Sequence, residues 1–250
     1  MKNIIKIAAI ALIIAIGFTA CDDDDNDPCD LGHDFNGIVS CTEYPATSVE
    51  VCTRCSEIGE TRAAQIGDTG PGGGIIFYIA DGEEERPLGF EVTSTTSAFE
   101  TYTAHYLEAA PENAVGGTGT QTMMRWSTQD GSPYPNVAGT LITIGSGRNN
   151  TALIIAAEKA AHPANTFIYA ALACDNYNTD SKDDWFLPSK DELNEFYKQK
   201  SYFGLTTGYF WSSSQAAGNF AWDRSFLYGA ESYGGAHKNV PTNVRAIRAF

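Results

Sequence analysis

Apolar residues in this chain fall into three textures: an uncharged run near the N-terminus, short β-favouring clusters bounded by glycine, and two stretches with helical spacing. The uncharged run is Ile7 to Phe18, twelve residues. A spanning helix needs roughly 20. Residues 22–58 are polar, punctuated by cysteine and too short for a sizeable core, so a spacer with a small stapled module is expected over 21–65. From about Ile66 the texture changes. Some 185 residues rich in glycine, serine and aromatics then suit one globular domain, 66–250.

Gly67-Asp-Thr-Gly-Pro-Gly-Gly-Gly74 followed by Ile75-Ile-Phe-Tyr-Ile79 predicts a loop and then a central strand, ended by the turn signal Asp81-Gly82. Asn149-Asn150-Thr151 offers an N-cap for an alanine-rich helix over Ala152 to His162, stopped by Pro163. Helix is expected to resume over 166–174. A second helix is better marked: Ser189 and Glu192 form a capping box, and Asp191 and Glu192 complement the helix dipole. Leu193, Phe196 and Tyr197 then make one apolar face. Val244-Arg-Ala-Ile-Arg-Ala-Phe250 reads as a final strand. The fold class is α+β, with two main helices, small antiparallel sheets and long loops.

Lys2 and Lys6 precede the uncharged run, and Phe18-Thr19-Ala20-Cys21 closes it. That is the layout of a signal peptide over residues 1–20. A plain secretory signal demands no cysteine, whereas this segment resembles bacterial lipoprotein signals, in which the cysteine is acylated; Cys21 is the expected lipidation site. Buried methylenes contribute about 0.8 kcal/mol each, so several acyl chains anchor firmly where one does not. The run Asp22-Asp23-Asp24-Asp25-Asn26-Asp27 cannot pack and should stay solvated. It resembles the surface-export signals of Bacteroidetes-type lipoproteins. The expectation is an outer-membrane lipoprotein exposed at the cell surface, partnered with the membrane through its lipid.

Without residues 1–20, the 16 Lys+Arg fall to 14 against 31 Asp+Glu, a formal charge of −17. Such a surface repels nucleic acid, anionic lipid and sulfated polysaccharide, so no nucleic-acid partner is expected. Of the six cysteines, Cys29, Cys41, Cys52 and Cys55 cluster, and in an oxidising compartment they read first as two disulfides with three possible connectivities. Cys52-x-x-Cys55 with His33 could instead bind zinc or exchange disulfides, but neither a second close pair nor a βαβ context accompanies it. Cys174, in Tyr169-Ala-Ala-Leu-Ala-Cys174, reads as a small buried hydrophobe.

The glycine loop at 70–74 lacks a lysine and runs into a strand, which makes it a tight turn instead of a phosphate cradle. His33, His105, His162 and His237 are scattered, and Ser212-Ser213-Ser214 reads as backbone-satisfying chemistry near a strand end. Asp175, Asp180, Asp183 and Asp184 could bind calcium but lack EF-hand spacing. Tyr209, Phe210, Trp211, Phe220, Trp222, Phe226, Tyr228 and Tyr233 make the C-terminal stretch rich in aromatics. Most are expected in the core, with 214–220 and 228–241 exposed. The binding candidates are Asn219, Trp222, Tyr228 and Tyr233, since exposed Tyr and Trp give large contact area at small entropic cost.

Six blocks carry a family resemblance: Gly70-Pro-Gly-Gly-Gly-Ile-Ile-Phe-Tyr78, Tyr106-Leu-Glu-Ala-Ala-Pro111, Ile144-Gly-Ser-Gly-Arg-Asn-Asn-Thr151, Asp184-Trp-Phe-Leu-Pro-Ser-Lys-Asp-Glu-Leu193, Trp211-Ser-Ser-Ser214 and Val244-Arg-Ala-Ile-Arg248. In this order, over about 66–250, they resemble the C-terminal domain of the Legionella collagen-like adhesin family. The resemblance implies a fold related to C-type lectins and formylglycine-generating enzymes, and a non-enzymatic, adhesin-like module that binds a glycan or protein through its loops. The best-known relatives take sulfated glycans, which a charge of −17 disfavours here. The lectin calcium motif Glu-Pro-Asn is missing, Pro111-Glu112-Asn113 having another order, so no metal or cofactor is expected. The enzymes of this fold use paired cysteines, and this domain has Cys174 alone. The alternatives are a structural or accessory subunit of a surface assembly and, behind it, an enzyme. No oligomeric state is specified.

Overall fold

The computed structural model describes the backbone of residues 37–39, 47–51, 58–83, 86–115, 123–128, 134–179, 182–232 and 234–250, with side chains from Arg62 onward. Cys21, Cys29, Cys41, Cys52, Cys55 and Tyr233 lie outside the described residues, as do the signal and the acidic run. In chain order the elements begin with β1 (Gly37–Val39), β2 (Thr47–Val51) and β3 (Ile58–Ala63), an antiparallel three-stranded sheet in the region expected to be a spacer. There follow β4 (Ile75–Ile79), β5 (Phe90–Val92), β6 (Tyr102–Ala104), β7 (Tyr106–Ala109) and β8 (Met123–Met124). The helices are α1 (Gly147–Ala161), α2 (Ala170–Asp175) and α3 (Lys190–Lys198). The chain closes with β9 (Tyr209–Ala217), β10 (Phe220–Ser225), β11 (Ala236–His237), β12 (Thr242–Asn243) and β13 (Ile247–Ala249).

The class is α+β, built from small sheets. β13, β7 and β4 form one antiparallel sheet, β5 and β6 a hairpin, and β11-β10-β9-β12-β8 the largest sheet, where β12 and β9 run parallel. Of three apolar clusters among the described residues, the two larger lie on either side of a shared seam. Trp185 and Leu187 join the cluster around Trp126, Trp211 and α2, whereas Phe186 between them joins Phe77, Phe196, Phe210 and Phe226. That is the period of two of extended backbone, which sends successive side chains to opposite faces. Phe186 and Ile247 exchange both backbone hydrogen bonds, so the seam is stitched to the C-terminal strand. Cys174 is a free, fully buried thiol in the first core, and burial pushes its pKa up.

The helices differ from expectation at their starts. α1 begins at Gly147, ahead of the proposed Asn-Asn-Thr cap, and its N-cap residue Ser146 makes no side-chain cap. Asn149, Asn150 and Thr151 are buried inside the helix and spend their side chains on other segments: Asn149 on Thr95, Asn150 on Leu141 and Ser213, Thr151 on Leu187. Asn, Ser and Thr compete for backbone groups wherever they sit, so tertiary partners can draw them into a helix. α2 starts at Ala170, four residues late, because the Asn165 side chain accepts from and donates to the backbone of Phe167 and holds a turn there. α3 carries the predicted capping box on Ser189 and Glu192. No described helix is long and apolar enough to cross a membrane.

Candidate functional site

The glycine loop is a tight turn whose donors are taken by the protein's own carboxylate. Gly70 and Gly74 close the turn through a 2.8 Å hydrogen bond, and the N–H groups of Gly72 and Gly74 donate to Glu108 at 3.0 Å each. A methyl group on Gly70 or Gly72 would sit within 2.7 Å of that carboxylate, which is why the loop is glycine there. Glu108 is fully buried and paired with Arg248, which also holds Asp184. Desolvation pushes the Glu108 carboxyl up, against the pull of Arg248 and the two N–H groups. Burial draws Arg248 down, but Asp184 and Glu108 outweigh it and raise the guanidinium.

Glu192 forms a second internal knot. Fully buried, it accepts N–H groups from Ser189 at 2.6 Å and Gly145 at 2.8 Å, tying α3 to the loop before α1. Burial pushes its carboxyl up to about 7 despite those donors. The serine run is likewise engaged: Ser212, Ser213 and Ser214 donate to the backbone oxygens of Trp222, Pro188 and Leu141. They lie within β9, not at its end, and the backbone role read from the sequence is the one they play. Among the described residues no group of three or more metal-ligating side chains converges.

The β9–β10 hairpin and its flanks carry three of the binding candidates, Asn219, Trp222 and Tyr228, and separate them. Along β10, Phe220 is exposed and Trp222 and Arg224 half-buried, while Ala221, Asp223 and Ser225 are buried. Asn219 is half-buried in the turn before the strand, and its carbonyl accepts the Lys238 N–H. Tyr228, 77% exposed, lies past the opposite end. A strand rising 3.3 Å per residue puts the two ends of β10 about 17 Å apart, so Asn219 and Tyr228 do not share one compact site. Trp222 lies between them, half-buried, with the Lys190 ammonium 4.0 Å above its ring. Lys190 and Arg224 both pair with Glu231, and Arg224 lies over Tyr197. One face of Trp222 is therefore already covered by a cation.

The hairpin tip holds an aromatic and amide cluster that sequence reading did not assemble. The His237 ring meets Phe220 at 5.3 Å and Tyr134 at 5.2 Å, both edge-to-face, and its Nδ1 lies 2.7 Å from Asn239. Phe220 is 39% exposed, and the neighbouring Gln215 side chain donates to the exposed Asn136 at 2.6 Å. Beneath it Lys238 is fully buried, donating to the Pro135 carbonyl at 2.8 Å and the Gln215 Oε1 at 2.6 Å, 4.5 Å from the Trp126 ring. Burial lowers its pKa to about 8, with Glu158 pulling the other way. Along the sequence His237 stands isolated, because its neighbours come from residues 134–136 and 215–220 and no local spacing links the three segments. No protein-family model matches this chain, and no curated protein is significantly similar to it.

Proposed function

We propose that this is a non-enzymatic binding protein of the bacterial outer membrane, lipid-anchored through Cys21 and exposed at the cell surface, whose C-type-lectin-like domain recognises a glycan or protein. The observation that carries the reading is the hairpin tip: Phe220 and Tyr134 each packed edge-to-face on His237, with the side-chain amides of Asn136 and Asn239 engaged beside them. Ring faces and edges with fixed amide donors and acceptors suit the alternating C–H and hydroxyl surfaces of a sugar. With residues 1–20 removed, a formal charge of −17 favours a neutral ligand over a polyanion. Rigid placement supports binding as well, because Glu108, Glu192 and the serine run are engaged in fastening loops.

A glycan array probed with the soluble domain, followed by titration calorimetry on the best hit, tests this. Phe220→Ala and His237→Ala should each weaken binding at least tenfold, and an affinity that neither change moves rejects the tip as the site. Trp222→Ala and Tyr228→Ala report whether binding extends along the hairpin.

The accessory-subunit reading draws on the other end of the hairpin. There Tyr209, Leu227 and Tyr228 are 47%, 49% and 77% exposed, and Tyr209 stands opposite Ser225 in register. Exposed apolar patches of this kind mark protein contacts. Crosslinking in intact cells separates the readings: stoichiometric adducts support the subunit role, and their absence removes it.

A further inference from the structure

Lys238 departs from the usual treatment of a buried cation. Among the described residues no carboxylate pairs with it; two neutral oxygens and the Trp126 ring receive its ammonium. Lysine is almost never fully buried unless paired. The oxygen it approaches most closely, at 2.6 Å, belongs to the side-chain amide of Gln215. The orientation of that amide is settled by its neighbours: Lys238 and the Val137 N–H, at 2.9 Å, are both donors and select Oε1, while Nε2 faces the Asn136 oxygen at 2.6 Å. One carboxylate acts electrostatically on Lys238, that of buried Glu158. Its Oε2 accepts from Thr128 at 2.7 Å, while its Oε1 is buried without a partner.

We infer that Lys238 and Gln215 are the two ends of an intramolecular isopeptide bond, formed between the lysine amine and the glutamine side-chain carbonyl. The parts needed for the reaction surround the pair. Desolvation makes an unprotonated amine accessible: with a pKa of about 8, roughly a tenth of Lys238 is neutral at pH 7. The amine attacks Cδ of Gln215, and the negative charge that develops on Oε1 meets the Val137 N–H, a donor already in place. Glu158 takes the proton that the attacking nitrogen sheds, and a proton passes to the amide nitrogen. The Cδ–Nε2 bond then breaks and ammonia leaves on the side of exposed Asn136. One C–N bond forms and one breaks, a single ammonia is lost, Glu158 is regenerated, and no oxidant or co-reactant is consumed. The product ties the residue that follows β11 covalently to β9 beneath the tip cluster.

Tryptic digestion of the full-length folded protein followed by mass spectrometry tests this. Cleavage after Lys200, Arg224 and Arg245 but not Lys238 should give a branched pair, residues 201–224 joined to 225–245, lighter by one ammonia than the two peptides together. Lys238→Arg and Gln215→Met should abolish the branched species, and Glu158→Gln should slow its appearance after synthesis at least tenfold in a pulse–chase. Circular dichroism shows whether each variant is folded. A folded wild-type protein that yields a free peptide ending at Lys238, and no branched pair, overturns the proposal. Bond formation in folded Glu158→Gln at the wild-type rate overturns the role of Glu158.

Discussion

Truncating Glu108 to alanine strips the N–H groups of Gly72 and Gly74 of their acceptor and takes from Arg248 one of its two carboxylates. A buried N–H left without a partner costs about 1–3 kcal/mol, and removing one member of a buried ion pair costs about 3–5 kcal/mol. The two penalties overlap, because Arg248 keeps Asp184 and the loop can relax. A loss of about 4 kcal/mol is therefore expected. For a domain of this size each kcal/mol lowers Tm by about 2–4 °C, so the midpoint should fall by roughly 8–16 °C. Glu108→Gln sharpens the test, since it keeps the volume. Oε1 faces Gly72 and Arg248 while Oε2 faces Gly72 and Gly74, so either amide orientation sets an NH2 against a donor. Thermal and urea unfolding, followed by tryptophan fluorescence and near-UV circular dichroism, measure both variants. If both unfold within about 1 kcal/mol of wild type, the glycine loop is not held by this carboxylate and the reasoning fails.

Two further outcomes follow from the packing. The Glu192 carboxyl, ordinarily near 4.5, is pushed up to about 7 by burial, so the folded chain binds this proton more tightly than the unfolded one. Its contribution to stability is fully present below the unfolded value and is lost as pH rises through the folded one, about 3 kcal/mol in all; Glu192→Gln should flatten that part of the urea-derived profile, and an unchanged profile counts against the assignment. Phe196 meets Phe77, Phe203 and Phe226 at ring separations of 5.6, 4.7 and 5.2 Å, so Phe196→Ala should cost about 3–5 kcal/mol, and a cost below about 1 kcal/mol in urea unfolding would show that the second core repacks freely.

Features readable along the chain were those whose cause is local. The capping box at Ser189 and Glu192, the strand after the glycine cluster and the buried Cys174 each depend on neighbours a few residues away. The start of α1 was not local: Asn149, Asn150 and Thr151 have cap chemistry, but Thr95, Leu141, Ser213 and Leu187 claim it. Glu192 shows both sides of this. Its capping role is visible at i+3, while its acceptance of the Gly145 N–H needs two segments 47 residues apart. The binding candidates suffered most. An aromatic-rich stretch says that a hairpin has rings, whereas strand alternation and length decide that Asn219 and Tyr228 end up at opposite ends.

Two of the buried cations, Arg248 and Lys238, show how far composition misleads about a site. With 31 Asp+Glu against 16 Lys+Arg, a buried cation has carboxylates to spare, and Arg248 does collect two of them, Glu108 and Asp184. Lys238 collects neutral oxygens instead, although the carboxylate of Glu158 acts on it electrostatically. Arg245, a third buried cation, also collects neutral oxygens, from Asn113 and Ala110, but a guanidinium keeps its proton there. An amine can give up its proton, and desolvation in a fully buried site favours that neutral form. The difference therefore separates a group that holds strands together by charge from one whose surroundings make it a nucleophile. Its neighbour at 2.6 Å is an acyl group, which gives that nucleophilicity a target.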